Sequence, residues 1–336
     1  MQRFPPMRTS WLRLSWVLLI SACATTPSPP PGGPADPLHQ VGRVRVAQEV
    51  ELEVLDFGGK GPALVFLPGA GSTAHVFDVL APEFIATHHV YAFTRRGFGA
   101  SSWPATGYDS ATLGHDVLAA MDGLGLAKAT LVGHSLAGDE LNWMGLNHPE
   151  RVEAFIFLDA TDNRGEIAGF LKPGPLPPLP FTVLDGQPSR EAVTALLARD
   201  LGGPFPPHEI DQAYEFDAGT GAYLRYRRLP EATEQCIRGA ALPDYAKLRG
   251  PVLAISDDTA FAGWVEFLSK SENVPEDLRE RARVFLPVLR QHEAEQEALL
   301  KSLPNWKLVT LPGAGHYLWL PRQAEVISEM RAFLGR

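Results

Sequence analysis

Two short segments carry residues whose types and spacing suit nucleophilic chemistry. The first is Gly133-His134-Ser135-Leu136-Ala137-Gly138, set between the apolar run Ala129 to Val132 and a segment, Ala137 to Asn147, that reads as a helix. At so tight a strand-to-helix turn the central residue is driven to φ > 0. It then crowds the positions two before and two after it, which must be small. Gly133 and Ala137 meet that requirement, so the pattern G-x-S-x-G is satisfied with alanine in its last place. The turn would raise Ser135 at the carboxyl edge of a sheet and aim the Leu136 N–H, at a helix N-terminus, toward a developing oxyanion. The second segment is Pro312-Gly313-Ala314-Gly315-His316, directly after the strand candidate Trp306 to Leu311. A histidine on a glycine-rich loop at that edge can swing over Ser135 and take its proton. The other histidines lack this placement: His39 falls in a proline-rich tether, His115 falls inside a helix, and His134 turns its side chain away from Ser135 as a packing or supporting group.

The elements that must position these groups follow from periodicity. Residues 43–57 alternate as two strands, and Ala63 to Leu67 and His89 to Phe93 read as buried strands separated by a helical stretch. Ser110 to Leu124 reads as an amphipathic helix, Val152 to Leu158 as a strand, Pro251 to Ile255 as a strand, Pro275 to Leu303 as a long helix and Ala324 to Leu334 as a final one. Strands alternating with helices of this length predict a mainly parallel sheet covered on both faces. Between Thr161 and about Arg249 the alternation is lost, and this proline-rich stretch reads as a cap inserted after the sixth strand, at about 161–249. Phe170, Leu171, Phe181, Val183, Phe205, Tyr214 and Phe216 on it would wall an apolar acyl or alcohol pocket.

Several segments together resemble the α/β-hydrolase superfamily across residues 44–335. LPGAG at 67–71 stands where that family has its oxyanion loop, and TRRGFGASS at 94–102 resembles its arginine-glycine turn. GHSLAG matches the nucleophile turn, PVLAI the seventh strand and GAGH the histidine loop. The resemblance implies an α/β-hydrolase fold, with a mostly parallel central sheet flanked by helices, and a serine hydrolase whose second oxyanion donor is the N–H of Ala70. Pro68 and Thr94 depart from the usual histidine and aspartate in supporting positions. The orienting acid stays open among three residues. The family's common place for it, ten residues from the start of the seventh-strand motif, is Ala260 here, so Asp257 or Asp258 would need a shortened turn. Asp159, at the end of the sixth strand, is the favoured alternative, and all three keep the order Ser, Asp, His. Serine as nucleophile argues against the dehalogenase and epoxide-hydrolase branches, whose alkyl-enzyme step requires a carboxylate there. The expected reaction is hydrolysis of a carboxylic ester of a small or medium apolar substrate through an acyl-enzyme. Ser135 would be the nucleophile, His316 the base, Asp159 the orienting acid, and the N–H groups of Ala70 and Leu136 the oxyanion donors, with no cofactor and no metal.

The start of the chain reads as an address. Arg3, Arg8 and Arg13 precede the apolar run Leu14 to Ile20, which is too short to span a bilayer. Ile20-Ser21-Ala22-Cys23 then resembles a bacterial lipoprotein processing box, with Ala24 reading as an outer-membrane sorting signal. Residues 1–22 are thus expected to be a signal peptide, 23–41 a lipidated proline-rich tether and 42–336 the hydrolase domain, placing the protein in the cell envelope, monomeric by default. The chain has 336 residues, a net charge of -9 and no long basic run, which excludes a nucleic-acid partner. With Cys23 and Cys236 the only cysteines, neither a disulfide scaffold nor a thiolate metal site fits. The alternative function is a non-catalytic envelope binding lipoprotein that keeps the fold. A minor one is an NADP-dependent reductase, from Gly69-Ala70-Gly71-Ser72-Thr73-Ala74 followed by Arg95 and Arg96. His292-Glu293-Ala294-Glu295-Gln296 misses the second histidine of a zinc-protease motif and reads as a solvated face.

Overall fold

Leu64 and Phe66 on one side, and Val65 and Leu67 on the other, set the layering of the molecule, because successive strand residues point to opposite faces. In the computed structural model, which describes residues 38–162, 187–258, 260–271 and 274–335, Leu64 and Phe66 join a core with Phe77, Phe84 and Trp319. Val65 and Leu67 join a second core with Val117, Met121, Leu141 and Met144. Covered on both faces, β3 (Ala63–Leu67) can be apolar throughout, and all five of its residues are buried.

The strands β1 (Gln40–Ala47), β2 (Val50–Gly58), β3, β4 (His89–Thr94), β5 (Ala129–His134), β6 (Val152–Leu158), β9 (Val252–Ser256) and β10 (Trp306–Thr310) form one sheet of eight, ordered β1-β2-β4-β3-β5-β6-β9-β10. Only the β1–β2 and β2–β4 pairs are antiparallel, so the sheet is mostly parallel, as expected. Helices α1 (Ser110–Gly123) and α2 (Ala137–Asn147) pack against one face; α8 (Gln323–Leu334) contributes Val326 and Met330 to the core on the other.

The region inserted after β6 contains α3 (Arg190–Asp200), α4 (Pro207–Ala213) and α5 (Ala232–Arg238). It also holds a small antiparallel hairpin, β7 (Tyr214–Phe216) with β8 (Tyr223–Tyr226), that the sequence did not announce. Its strands are too short for a period of two to show. Phe170, Leu171, Phe181 and Val183 lie outside the described residues, as do residues 1–22, expected to be a signal peptide, and Cys23. The helical stretch expected between β3 and β4 is instead two 3-10 turns, Ala74–Phe77 and Ala81–Phe84. Helix α6 (Ala260–Lys270) is an element the sequence left unassigned, and it packs Ala262, Val265 and Leu268 against Ala282 and Leu289 of the long helix α7 (Glu276–Ser302). The first strand begins earlier than expected: Gln40 already pairs with Asp56 in the sheet, and His39 is buried.

Candidate active site

The parallel register aligns the carboxyl ends of three adjacent strands. His134 pairs with Leu158, and Leu158 pairs with Ile255, so the residues that follow, Ser135, Asp159 and Ser256, leave the sheet side by side. Ser135 and Asp159 have φ of 52° and 47°, the only non-glycine residues with positive φ among the described residues. Such a backbone costs about 1–2 kcal/mol per residue and persists where the surroundings enforce it. Here the enforcing bonds are Ser135 N–H to Leu158 O (3.1 Å), Gly138 N–H to Ser135 O (2.9 Å) and Asp159 N–H to Ile255 O (2.8 Å). Close packing adds to them. A Cβ on Gly133 would meet the Leu141 side chain at 2.8 Å, and one on Gly138 would lie 1.9 Å from the Ala160 carbonyl oxygen.

The structure brings His316 to Asp159 and to neither alternative acid. His316 Nδ1 lies 2.6 Å from Asp159 Oδ2, and since an ionised carboxylate only accepts, Nδ1 carries the proton and leaves Nε2 as the basic nitrogen. The other carboxylate oxygen of Asp159 accepts the backbone N–H of Asp257 at 3.2 Å. Asp257 has a different task from the one weighed in the sequence: its carboxylate accepts the N–H groups of Gly313 (2.8 Å) and Gly315 (3.2 Å), which shapes the histidine loop. Both glycines have φ of 70°, a conformation that suits glycine alone at low cost. Asp258 is exposed; its carboxylate reaches the Gly313 N–H at 3.4 Å and lies beside that of Asp257.

His134 is fully buried, and its Nε2–H donates to the His316 carbonyl at 2.9 Å, so it braces the histidine loop from beneath the serine. His115 lies in α1 with Nδ1 2.8 Å from the Ala111 carbonyl and its ring tilted over Trp143, remote in role from Ser135.

Leu136 opens the first turn of α2, where helix geometry leaves N–H groups without an intrahelical acceptor. Ala70 faces that turn from the loop after β3, which runs so close that a Cβ on Gly69 would sit 2.9 Å from Ser135 Cβ. Sequence reasoning missed what holds this loop. Arg95 donates to the carbonyls of Pro68 (2.8 Å) and Gly69 (3.3 Å) while gripping Glu140 of α2 at 2.7 and 2.6 Å. On the cap side, buried Glu209 of α4 accepts the Thr73 N–H at 2.9 Å and the Thr73 hydroxyl. Burial pushes the Glu209 carboxyl well above the usual carboxylate range. Thr94, in the place of the usual aspartate, donates to Glu53 (2.7 Å) and accepts the Ala74 N–H (2.9 Å), so it still ties this loop to the sheet.

The reductase reading fails on these contacts. Arg95 is spent on Glu140 and Arg96 on Asp116, both pairs buried, so neither guanidinium is open to a phosphate. The glycine segment leads into a single 3-10 turn rather than a dinucleotide-binding helix. Cys236 is a free, buried thiol whose pKa burial pushes up to about 12, which makes it inert. Glu293 is half-buried rather than solvated: burial, and then the charge of Asp162, raise it to about 7.

Beside Ala70 lies a cavity of about 20 Å³ under the inserted region, walled by Leu197, Leu201, Phe205, Tyr214 and Tyr317, room for about one water molecule. Phe205 and Tyr214 line this cavity, but together with the polar side chains of Ser72, Glu209 and Arg228, so it is of mixed character, and Phe216 packs at the margin of the core.

Comparison with known proteins identifies the family. A profile of the alpha/beta hydrolase family matches residues 64–329. The chain belongs to that family. Among its relatives, 3-oxoadipate enol-lactonase 2 of Acinetobacter baylyi is 33% identical over 121 residues, 36% of this chain and only 45% of that enzyme. The 2-(acetamidomethylene)succinate hydrolase of Mesorhizobium japonicum is 26% identical over 265 residues, 77% of this chain and 83% of that one. The crystal structure of E-2-(acetamidomethylene)succinate hydrolase superposes with a TM-score of 0.64 at 21% identity, covering 89% of this chain and 100% of the other.

Proposed function

We propose that the protein hydrolyses a carboxylic ester of a small or medium apolar substrate, with Ser135 as nucleophile, His316 as general base and Asp159 as the orienting acid. The observation that carries the reading is the 2.6 Å contact of His316 Nδ1 with Asp159, at the same strand ends as the strained Ser135. Ser135 Oγ attacks the carbonyl carbon while His316 Nε2 takes its proton, and the N–H groups of Leu136 and Ala70 hold the oxyanion. Collapse of the adduct breaks the bond to the alkoxide, which leaves with the proton from His316. Water, deprotonated by the same nitrogen, then releases the acid and restores Ser135. Leu197, Leu201 and Phe205 put apolar side chains beside Ala70, which supports an apolar substrate; the space between them holds about one water, so a substrate group must part them to enter. An alkoxide leaves more readily than an amine, which makes ester the substrate class.

Turnover of short p-nitrophenyl esters together with fluorophosphonate labelling tests the assignment. Ser135→Ala is expected to abolish labelling and most turnover while the far-ultraviolet circular dichroism is unchanged. His316→Ala is expected to match it, and the double variant to be no worse than either. Wild-type turnover in Ser135→Ala would end the reading, and a native chain that neither labels nor turns over would favour a binding lipoprotein. We further propose that the enzyme is anchored in the outer membrane through acylated Cys23; the processing box and the proline-rich stretch after it support that location.

A further inference from the structure

Four side chains from three distant parts of the sequence converge outside the active site: His39 just before β1, His75 and Asp78 on the 3-10 turn after the Ala70 loop, and His208 on α4. One ligand atom from each lies within 4.8 Å of all the others. His39 Nε2 is 3.2 Å from Asp78 Oδ1, and His208 Nδ1 is 2.7 Å from Asp78 Oδ2. His75 Nδ1 is 4.0 Å from Asp78 Oδ2. His39, His75 and Asp78 have side chains only 5–6% exposed, yet both ring nitrogens of His39, Nδ1 of His75 and Oδ1 of Asp78 have no hydrogen-bond partner among the described residues. His39 Nε2 and Asp78 Oδ1 face each other without a well-aligned hydrogen bond, while His39 Nδ1 and His75 Nδ1 lack one altogether; a buried polar atom left so costs about 1–3 kcal/mol, which a protein seldom carries without a ligand.

We infer that these residues form a zinc-class metal site, a His₃Asp set holding one divalent first-row ion. Three imidazoles and a carboxylate are the donors such ions take, and tetrahedral bonds of about 2.0–2.2 Å need ligand atoms about 3.3 Å apart. The ligand atoms lie between 2.7 Å and at most 4.8 Å apart, so the His208–Asp78 pair must open slightly and the wider pairs close by up to about 1.5 Å. His208, with its side chain 58% exposed, has the freedom to move and gives the ion its way in. The outer shell is already arranged: His75 turns Nε2 toward Glu53 Oε1 at 3.5 Å, leaving Nδ1 to face the cluster. A carboxylate behind a ligating histidine fixes the ring and its tautomer. Four protein ligands leave no open position, so the ion is structural. It staples the entry of the chain, the segment that follows the Ala70 loop and α4 of the inserted region. Glu209, next to His208 on α4, already holds Thr73, so the staple stiffens the loop that carries the Ala70 N–H. No motif announces the set, since only His75 and Asp78 are close in sequence, which is why the sequence implied no metal.

The test is metal content and affinity, independent of ester hydrolysis. The full chain, purified without chelator, is expected to carry about one equivalent of zinc by inductively coupled plasma mass spectrometry. Stripped with dipicolinate, it is expected to rebind one Zn²⁺ in competition with a chromophoric chelator and to unfold at a clearly higher temperature with zinc than without. His208→Asn, at an exposed position that the fold tolerates, is expected to weaken binding at least tenfold, and Glu53→Gln by about 10–100-fold. His115→Asn is the control and keeps full affinity. Less than a tenth of an equivalent bound, no rise in unfolding temperature with Zn²⁺, or equal affinity in His208→Asn would each overturn the inference. Because Ser135→Ala should bind zinc normally, the site and the hydrolase assignment fail separately.

Discussion

Replacing Asp159 with asparagine turns the hydrogen-bond network around its carboxylate into a measurable rate. One carboxylate oxygen accepts the Asp257 N–H at 3.2 Å and the other accepts His316 Nδ1–H at 2.6 Å. An asparagine must keep its carbonyl on the Asp257 N–H, because that backbone donor cannot turn round, and so presents its NH₂ to His316. Nδ1 is then forced to accept, the ring proton moves to Nε2, and the nitrogen meant to deprotonate Ser135 already carries a hydrogen. The imidazolium formed during attack also loses its buried counter-charge. Together these should lower kcat/KM by about 10³–10⁴-fold, or about 4–5.5 kcal/mol of transition-state stabilisation. Asp257→Asn should cost about tenfold, through the loop, since it can keep the Gly313 bond while meeting Gly315 with the wrong group. The assay is kcat/KM for p-nitrophenyl butyrate at neutral pH, with circular dichroism to show that each variant is folded. If Asp159→Asn stays within tenfold of the parent while Asp257→Asn is crippled, the tautomer argument is wrong and the acid lies after β9.

Gly138→Ala places a Cβ 1.9 Å from the Ala160 carbonyl, backbone against backbone; α2 must back away from the end of β6, at a cost of about 3 kcal/mol. Thermal unfolding should drop by several degrees and kcat/KM more than tenfold, whereas an unchanged variant would show that the elbow is loosely packed. Glu293, raised from 4.5 to about 7, binds its proton more tightly folded than unfolded, so its contribution is greatest below about pH 4.5 and declines as pH rises to 7. Half-exposure reduces the effect to about 1 kcal/mol. Glu293→Gln should therefore add about that much stability in urea unfolding at alkaline pH and flatten the decline, and an equal gain at pH 4 would refute the cause. Cys23→Ser should leave the precursor unprocessed and free the chain from outer-membrane fractions; a wild-type N-terminus found by mass spectrometry to lack lipid would remove the anchor.

Local chemistry in the sequence determined the sheet, its order of strands and helices, and the two segments around Ser135 and His316. Those are local matters: a run such as ALVFL is apolar throughout only if both faces are covered, and a small-Ser-small turn can hold a positive φ at its centre. The same locality explains what was missed. The β7–β8 hairpin is too short for a period to register. Which carboxylate meets His316 is set by register, with β5, β6 and β9 ending level so that Asp159 is delivered to the histidine and Asp257 to the loop behind it. The braces on the Ala70 loop, Arg95 with Glu140 and Glu209 with Thr73, join residues 45 and 136 apart. The cluster of His39, His75, Asp78 and His208 spans a similar range. Such contacts leave no trace in a one-dimensional pattern, because burial and distance arise only when the elements pack.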